Sequence, residues 1–543
     1  MDSRAPLEQL ATHTVSNQAP DLPDYHAYLD DTPLWEGVAR EGGADHEPRL
    51  RALGEAAGSA AVMALGEQAN SNPPRLRAFD RQGRRLDLVE YHPAYHQLMR
   101  LGCEHGVHNH AWQAERGGHV AHVALLYMLY QAEGGVCCPL TMTHAVRPAL
   151  RASTELAAFW EPLLDVEAYD PAYCPASDKQ AVTFGMAMTE KQGGSDVRAN
   201  TTRAEPVSDG YLLQGHKWFC SAPMSDAFLT LAQAPEGLSC FLVPRWRPDG
   251  TRNPFLIQRL KDKLGNQANA SAEIEYAATW AMPLGPLGEG VKTIIGMVQQ
   301  TRLDAAVAPV ALMRQALVRA LHHCRHRGAF GKALIDQPLM RNVLADMALE
   351  VEAGLRLVLR LARAFEPGAD EQDRHLARVG TAIAKYWLNK RSPEFTCEAM
   401  ECLGGGGYVE ESLMPRLYRE APVNGIWEGS GNVLCLDVLR AFAREPESLQ
   451  ALLSIIEARR GEHAALDRTL ARIKGLLTRP EELEMRARSL AEWLAQALQA
   501  SLLLEDGPAE VAEAWCDARL SERGRVYGAL RDSAQVEALL ARA

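Results

Sequence analysis

Residues 416–442 read RLYREAPVNGIWEGSGNVLCLDVLRAF, and this stretch carries the strongest indication of the fold. It places Glu428 in a glycine-rich turn, directly before an apolar-periodic helix that begins near Asn432. Burial among apolar and glycine residues raises the pKa of a carboxylate, which suits a general base near neutral pH. The amides at the N-terminus of the helix can also take an anion. A helix-capping acid is the alternative that this stretch alone leaves open.

A second cluster, MTEKQGGSDV at residues 188–197, lies between two predicted strands. Gly193 and Gly194 allow a loop to approach a ligand closely, and Thr189 and Ser195 can donate hydrogen bonds to polar ring atoms or a phosphate. A glycine-rich surface turn would look the same by composition.

A third cluster, HKWFCSAP at residues 216–223, offers the flat face of Trp218 and the hydroxyl of Ser221. A tryptophan in a strand is more often part of the core than a ligand contact. On its own, this cluster therefore does not indicate a ligand site, and its interpretation depends on the other two clusters.

The chain around these clusters changes character several times along its 543 residues. Apolar periods of three and four residues predict helices, and short β-branched and aromatic runs separated by Gly, Pro, Asp and Asn predict antiparallel strands. The predicted fold class is α+β. Its predicted parts are an irregular arm (1–50), an N-terminal helical domain (51–180), an antiparallel β domain (181–288), a helical bundle (289–444) and an extra C-terminal helical domain (445–543).

Composition limits the class of protein. An apolar fraction of 47% and a charged fraction of 23% are typical of a soluble globular chain, and no run of about 18 apolar residues predicts a membrane span. Eleven cysteines without CxxC or Cys/His ligand spacing argue against a disulfide framework and a metal site, and indicate a reducing cytoplasm. The net charge of −12 argues against nucleic-acid binding unless the charges are segregated.

The three clusters, in this order on a helix–sheet–helix frame, resemble the acyl-CoA dehydrogenase family of flavoproteins. Three further motifs extend the resemblance over residues 60–445: RLKDKLGNQANASAEIEYAATWAMPLG (259–285), RHRGAFG (325–331) and ECLGGGGYVEE (401–411).

The resemblance implies bound FAD and a neighbouring subunit that shares its site, and therefore a homotetramer. Arg327, Phe330 and the backbone around Gly405 are expected to reach the FAD of the neighbour. The expected FAD contacts as a set are Met188, Thr189, Gly194, Ser195, Trp218, Ser221, Arg327, Phe330, Gly405, Trp427, Gly429, Ser430 and Asn432.

The same resemblance implies that a Glu removes the α-proton of an acyl-CoA while hydride passes to the flavin. Family members carry this Glu in the turn before the last helix or one residue before an Arg on an earlier helix. The second position is Thr301, before Arg302, and threonine cannot serve. Glu428 is therefore the expected base.

Four departures from the family pattern accompany these matches. Trp427 is bulkier than the usual aromatic and is expected to narrow the acyl channel, and Glu401 replaces a Gln at an expected FAD contact. Gln337 lies one residue early, and Pro309 is expected to interrupt and kink the helix that follows Arg302. These departures indicate that ordinary β-oxidation is not the main task.

The hundred residues after the family frame carry fourteen basic residues, of which thirteen are arginine, the side chain suited to phosphate contacts. A solvated helix face with intrahelical ion pairs, such as Glu457 with Arg460, is the alternative interpretation. The predicted DNA contacts are Arg440, Arg444, Arg459, Arg460, Arg468, Arg472, Lys474 and Arg519, and Arg523 and Arg525 recur near the end.

HTVSNQ at residues 13–18 and the C-terminal region together closely resemble a DNA-binding branch of the family from the bacterial adaptive response to alkylation damage. That resemblance implies a cytoplasmic flavoprotein that binds double-stranded DNA without strong sequence specificity and protects it from alkylation. Its expected small-molecule partner is an acyl-CoA-like or alkylating compound. A plain acyl-CoA dehydrogenase whose extension serves only oligomerisation is the alternative, and a DNA-coating protein with structural FAD is a third.

Overall fold

The computed structural model describes residues 6–521, Tyr527, Leu530 and residues 532–543. Helices precede and follow a central sheet. The helices before the sheet are α1 (Thr32–Arg40), α2 (Glu47–Ala57), α3 (Ala60–Ser71), α4 (Pro93–Glu104), α5 (His110–Gln113), α6 (Gly118–Ala132), α7 (Gly134–Ala145), α8 (Arg147–Leu150) and α9 (Thr154–Leu164). Those after the sheet are α10 (Gly290–His326), α11 (Pro338–Arg363), α12 (Glu371–Cys402), α13 (Gly405–Tyr408), α14 (Met414–Glu420), α15 (Gly431–Arg444), α16 (Pro446–Glu457), α17 (Ala464–Leu477), α18 (Pro480–Leu483), α19 (Ala487–Asp506), α20 (Ala509–Arg519) and α21 (Ser533–Arg542).

The N-terminal arm is more regular than expected. α1 forms inside it because the Asp31 side chain accepts a hydrogen bond from the amide of Leu34 at 3.3 Å, and Pro33 starts the first turn. Asp31 is itself held by the Tyr127 hydroxyl at 2.8 Å and by Arg314 at 3.1 Å. Residues 32–40 are thus a packed helix rather than irregular chain.

A hairpin interrupts the segment that the sequence predicts to be wholly helical. Its strands are β1 (Arg75–Phe79) and β2 (Arg85–Glu90), which pair antiparallel. Asp80 stabilises the turn by accepting from the amides of Gln82 and Arg84.

The central sheet has seven strands within the described chain: β3 (Phe184–Ala187), β4 (Arg203–Val207), β5 (Gly210–Ser221), β6 (Ala227–Ala234), β7 (Gly237–Pro244), β8 (Phe255–Leu260) and β9 (Ser271–Leu284). β5, β7 and β8 pair antiparallel with β9, and β4 pairs antiparallel with β5. β3 runs parallel to β6 over four residue pairs, so the mainly antiparallel sheet is mixed at that edge. A tight hairpin, β10 (Gly328–Ala329) and β11 (Lys332–Ala333), follows α10.

α10 runs through Pro309 without interruption, against the expectation. Proline cannot donate to the carbonyl four residues earlier, that of Ala305. The side-chain amide of Asn389 on α12 donates to this carbonyl instead, at 2.9 Å. A neighbouring helix therefore supplies the hydrogen bond that Pro309 removes.

The C-terminal helices share the main core. Leu452 on α16, Leu494 on α19 and Leu539 on α21 belong to one apolar cluster with Leu125 of α6 and Leu357 of α11. The division of the chain at residue 444 remains a prediction about domains, but no separate apolar core lies beyond it among the described residues.

Candidate active site

The turn that carries Glu428 is built against a buried lysine. Lys385 on α12 is fully buried, and its ammonium donates to the carbonyls of Asn424, Trp427 and Gly429 at 3.0, 2.7 and 2.9 Å. Glu428 has a φ of 56°, in the left-handed region that a non-glycine residue rarely adopts. The three hydrogen bonds from Lys385 hold this strained conformation in place.

The carboxylate of Glu428 faces α10. The hydroxyl of Thr301 donates to Glu428 Oε2 at 2.8 Å, and the Arg302 guanidinium donates to the Glu428 backbone carbonyl at 3.1 Å. Asp437 on α15 accepts from Arg302 at 2.9 Å and from Arg378 at 3.2 Å, which fixes Arg302 in turn. The two positions that the family resemblance offers for the base thus meet in space.

Burial raises the pKa of Glu428, and the Thr301 hydroxyl, the Lys385 ammonium and Arg302 partly oppose that rise. Burial likewise lowers the pKa of Lys385, which the charge of Glu428 opposes. A carboxylate whose pKa is raised by burial holds a proton more readily than an exposed carboxylate, which suits a general base.

Two members of this arrangement have roles that the sequence analysis did not predict. Thr301 cannot act as a base, but it orients the base by its hydrogen bond. Lys385 does stand out in the sequence, because it is a lone cation inside the apolar run AIAKYWL of a chain with few lysines. Such a cation inside an apolar run of a helix is the signal that could have identified it.

The glycine loop at residues 188–197 is anchored by an ion pair that the sequence did not reveal. Glu190 and Lys217 are both fully buried, with 2.9 Å between Oε1 and Nζ. Burial alone would raise the pKa of Glu190, but Lys217 and the hydrogen bonds from Thr201 and Thr202 hold it below its usual value. This pair fixes the loop to β5.

The predicted flavin contacts on this loop and on β5 lie close together. The amide of Trp218 donates to the Thr189 carbonyl at 2.8 Å. A Cβ on Gly194 would lie 2.3 Å from the Thr189 hydroxyl, so only glycine fits there. Met188, Thr189, Trp218 and Ser221 are partly exposed and Ser195 is exposed, which leaves them accessible to a ligand.

Cys138 on α7 connects the β domain to the Glu428 turn. Burial raises the pKa of its thiol to about 11, and Lys263 and Glu428 are the charges that act on it. The Ser221 hydroxyl also reaches this thiol, and lies 3.4 Å from the Ser271 hydroxyl. Cys138 is thus close to Ser221 of the third cluster and to Glu428 of the first.

Arg327, Phe330 and Gly405 lie on other surfaces. Arg327 donates to the backbone carbonyl of Asn17 at 2.5 Å and to the side chain of Gln18 at 3.0 Å, so the N-terminal arm holds it. Phe330 is 100% exposed at the tip of the β10–β11 hairpin. Gly405 is exposed at the start of α13.

The departures from the family pattern have local explanations. Gln337 caps the hairpin by donating to the Ala329 carbonyl at 3.0 Å, and Glu401 is exposed near the end of α12. The Trp427 indole donates to the Asn424 side chain at 3.1 Å. In and after the Glu428 turn, Trp427, Gly429 and Ser430 are partly buried and Asn432 is exposed.

One predicted DNA contact is corrected by the structure. The Arg519 side chain is only 10% exposed and is paired with Asp346 at 2.7 Å and Glu350 at 2.9 Å, between α20 and α11. Such an arginine offers no phosphate-binding surface. Arg523 and Arg525 lie outside the described residues.

The other predicted DNA contacts divide into two groups. Arg440, Arg459 and Lys474 have carboxylate partners, Asp437, Glu462 and Glu457 respectively. The second group is exposed on α15, on α17 and in the turn after α16: Arg444, Arg460, Arg468 and Arg472. Arg472 also lies over the Trp493 ring at 5.2 Å.

Within the described ranges, no group of three or more His, Cys, Asp or Glu side chains is arranged to hold a metal ion. In the same part of the chain, no helix combines the length and apolar character needed to cross a bilayer.

Three family models match the chain in succession. Residues 17–171 match the adaptive response protein AidB N-terminal domain, residues 185–279 the acyl-CoA dehydrogenase middle domain, and residues 288–443 the acyl-CoA dehydrogenase C-terminal domain. These matches span the helix–sheet–helix frame.

Curated relatives extend the match beyond that frame. The putative acyl-CoA dehydrogenase AidB of Escherichia coli is 46% identical over 520 residues, which cover 95% of this chain and 96% of that protein. Acyl-CoA dehydrogenase family member 11 of Caenorhabditis elegans is 32% identical over 81% of this chain and 73% of that protein.

Solved structures agree with this placement. Caenorhabditis elegans ACDH-11 in complex with C11-CoA superposes with a TM-score of 0.86 at 28% identity, over 95% of both chains. Butyryl-CoA dehydrogenase of Megasphaera elsdenii, at 21% identity and a TM-score of 0.59 over 76% of this chain, shows the shared fold alone. The chain therefore belongs to the acyl-CoA dehydrogenase family and, within it, is similar to AidB over nearly its whole length.

Proposed function

We propose that this protein is a flavin-dependent oxidoreductase that removes an α-proton from an acyl-CoA thioester, with Glu428 as the base. The observation that carries the proposal is the half-buried carboxylate of Glu428, which accepts from Thr301 while Lys385 and Arg302 hold the backbone of its turn. A base in this setting is oriented before substrate arrives, which lowers the cost of reaching the transition state.

The proton step uses atoms of this chain alone. Glu428 takes the α-proton on its carboxylate, and the rise in its pKa that burial causes makes the protonated product state accessible. Thr301 donates to the ionised form at 2.8 Å and keeps one carboxylate oxygen turned toward α10. Lys385 keeps the turn from relaxing as the charge on Glu428 disappears, because its three acceptors are backbone carbonyls.

FAD is the proposed cofactor, and the residues on the β domain fit it. The hydroxyls of Thr189 and Ser195 have no partner among the described residues, and open space around Gly193 allows a ligand to approach the loop closely. Trp218 is half-exposed, with the Lys261 ammonium 3.1 Å from its ring centroid, so a flat ring would pack against the part of the indole that Lys261 leaves uncovered. Bound FAD supplies acceptance of hydride from the substrate's β-carbon.

A second copy of the chain is proposed to complete each site. Phe330, with a φ of 52°, presents its whole side chain to solvent, which an apolar residue at a strained position does at a cost unless another surface covers it. Arg327 stands at the base of the same hairpin. A homotetramer would bring this hairpin and Gly405 to the FAD of a neighbour.

The relatives support a thioester substrate. The structure of ACDH-11 contains C11-CoA, and the curated relatives at the highest coverage are described as acyl-CoA dehydrogenases. Trp427 borders the same turn as the base, so its indole is expected to limit the size of the acyl group.

The test is anaerobic flavin reduction by a series of straight-chain and branched acyl-CoA thioesters. Wild-type protein should bleach with at least one of them, Glu428→Gln should not, and the exposed control Glu411→Gln should behave as wild type. Both variants must retain FAD. Equal bleaching by Glu428→Gln would overturn the assignment of the base.

A second proposed role is contact with double-stranded DNA, as part of protection against alkylation. The exposed set Arg444, Arg460, Arg468 and Arg472 supports it, as does the similarity to AidB, whose domain model is described as belonging to an adaptive response protein. ACDH-11 matches the same C-terminal region, so that region also supports the alternative of a purely oligomeric or structural extension.

Fluorescence anisotropy on duplexes of unrelated sequence, over a range of salt concentrations, decides between these roles. Each phosphate that the protein no longer neutralises reduces the slope of log affinity against log salt by about 0.9. Arg460→Gln combined with Arg468→Gln should therefore reduce the slope by about 1.8, and Arg374→Gln, an exposed arginine on α12, should leave it unchanged. Truncation after residue 444 is unsuitable because it would open the shared core.

A further inference from the structure

A polar cavity, separate from the Glu428 site, lies where α1, α11 and α19 meet. Its volume is about 180 Å³, and four arginines line it: Arg40 at the end of α1, and Arg356, Arg360 and Arg363 on α11. It therefore joins the N-terminal arm, the helical bundle and the C-terminal extension.

Three of these arginines have hydrogen-bonding capacity left over. Arg40 Nη2, Arg356 Nε and Arg360 Nη1 are buried and have no hydrogen-bond partner within the described part of the chain. The side chains of Arg356 and Arg360 are 5% and 9% exposed. Buried guanidinium donors that stay unpaired are costly, so the chain alone does not satisfy all the donors of the arginines that line this cavity.

The charges of the cavity are only partly balanced by the chain. Asp506 at the end of α19 lies 3.6 Å from Arg40 and is also paired with Arg356, whose guanidinium donates to the Leu502 carbonyl at 2.6 Å. Glu41 pairs with Arg40 at 3.1 Å and Arg363 at 3.0 Å.

Two further acidic side chains are already paired with arginines. Arg360 is paired with Asp373 at 2.5 Å, and Glu505 with Arg459 at 3.5 Å. Burial first, and then the charge of Arg40, lower the pKa of Arg356, so two guanidinium groups repel each other across this cavity.

We propose that this cavity is a binding site for a small phosphate-class oxyanion, either inorganic phosphate or the terminal phosphate of a nucleotide. Such an anion displaces Asp506, which is 43% exposed and can turn to solvent, and takes over its place between Arg40 and Arg356. Its oxygens offer more acceptor positions than one carboxylate, which suits several forked arginine donors.

The geometry favours a small anion over a nucleic acid. Glu505 and Asp506 stand at the cavity with half-exposed side chains, so a polyanion that covered the mouth would meet their charge. The site is thus separate from the exposed arginines of α17 and of the turn after α16, and it does not depend on the catalytic proposal.

Calorimetric titration of the FAD-loaded full chain with inorganic phosphate, in chloride buffer, tests the site. Wild type should bind, Arg40→Gln should weaken binding by about tenfold or more, and Asp506→Asn should tighten it by about fivefold because it removes the competing charge. The control Arg374→Gln, an exposed arginine outside the cavity, should bind as wild type. If Arg40→Gln does not fold, Arg363→Gln replaces it, because Arg363 is 42% exposed and its carboxylate partner is Glu41.

A parallel titration with AMP distinguishes the two sources of the phosphate, since tighter binding of AMP identifies a nucleotide and tighter binding of phosphate a free anion. Two results would overturn the proposal: weaker or unchanged binding in Asp506→Asn, or Arg40→Gln that binds as tightly as Arg374→Gln. Displacement of phosphate by duplex DNA in the wild type would also overturn it, because the cavity would then belong to a nucleic-acid surface.

Discussion

The hydrogen bond from Thr301 to Glu428 allows the proposed base to be tested without removing it. Thr301→Val keeps the shape of the side chain and deletes its hydroxyl, which is the donor to the ionised carboxylate at 2.8 Å. A hydrogen bond to a charged group contributes about 1.5–3 kcal/mol. Losing it disfavours ionised Glu428, so the pKa of Glu428 rises above its already raised value.

The consequence for the rate follows from the sign of this change. The ionised form is the active base, so the variant loses activity at low pH and recovers it as pH rises through the new pKa. On the acid limb, the loss of about 1.5–3 kcal/mol corresponds to a roughly 10- to 100-fold smaller ionised fraction. At alkaline pH the variant should approach the wild-type rate.

The assay is the pH dependence of the rate of flavin reduction, measured by stopped flow with one saturating acyl-CoA. Thr301→Ser is the matched control, because it retains the hydroxyl and should keep the wild-type profile. A uniform loss at every pH in Thr301→Val would indicate a packing defect. An acid limb that does not move would refute the role assigned to Thr301 and weaken that of Glu428.

Three further predictions concern the supports of the site and the core. Lys385→Met should lower the thermal midpoint and abolish flavin reduction, because three carbonyls in the Glu428 turn lose their donor at a cost of about 1–3 kcal/mol each; unchanged melting would contradict it. Arg519→Met should lower the free energy of unfolding in urea by about 3 kcal/mol, since Asp346 and Glu350 each lose one ion pair while Glu350 keeps Arg391, yet leave the salt slope of DNA binding unchanged. Asn389→Ala should lower the free energy of unfolding by about 1–3 kcal/mol, because the Ala305 carbonyl loses its donor. Adding Pro309→Ala restores a backbone donor to that carbonyl and should recover part of the loss in a double-mutant cycle.

The order of the motifs was sufficient to predict the fold. The glycine loop, the Trp218 strand and the Glu428 turn each have an ordinary alternative explanation. Their occurrence in this order along a helix–sheet–helix frame does not. Family membership and fold class were both confirmed by the comparisons. The predicted flavin and DNA contacts remain predictions, apart from Arg519.

What the sequence could not predict depends on contacts between distant segments. The pairing of Glu190 with Lys217, and of Lys385 with three carbonyls, joins residues whose types alone give no sign of a partner. Pro309 was expected to break a helix, because proline removes a local donor, but the compensating amide comes from Asn389, far along the chain on another helix. Periodicity describes one element at a time, and these interactions lie between elements.

The C-terminal extension shows why a count of arginines is a weak argument for a nucleic-acid surface. Arg519 satisfies two buried carboxylates, and Arg459 and Arg440 have acidic partners within three residues. An arginine already paired must give up its carboxylate before it can bind phosphate, which cancels part of the gain. The remaining exposed set is small, and α17, which carries two of its members, buries Leu466, Leu470 and Ile473 in the common core. The extension is therefore part of the common core whether or not it touches DNA, and surface variants that spare this core are the ones that can separate the two roles.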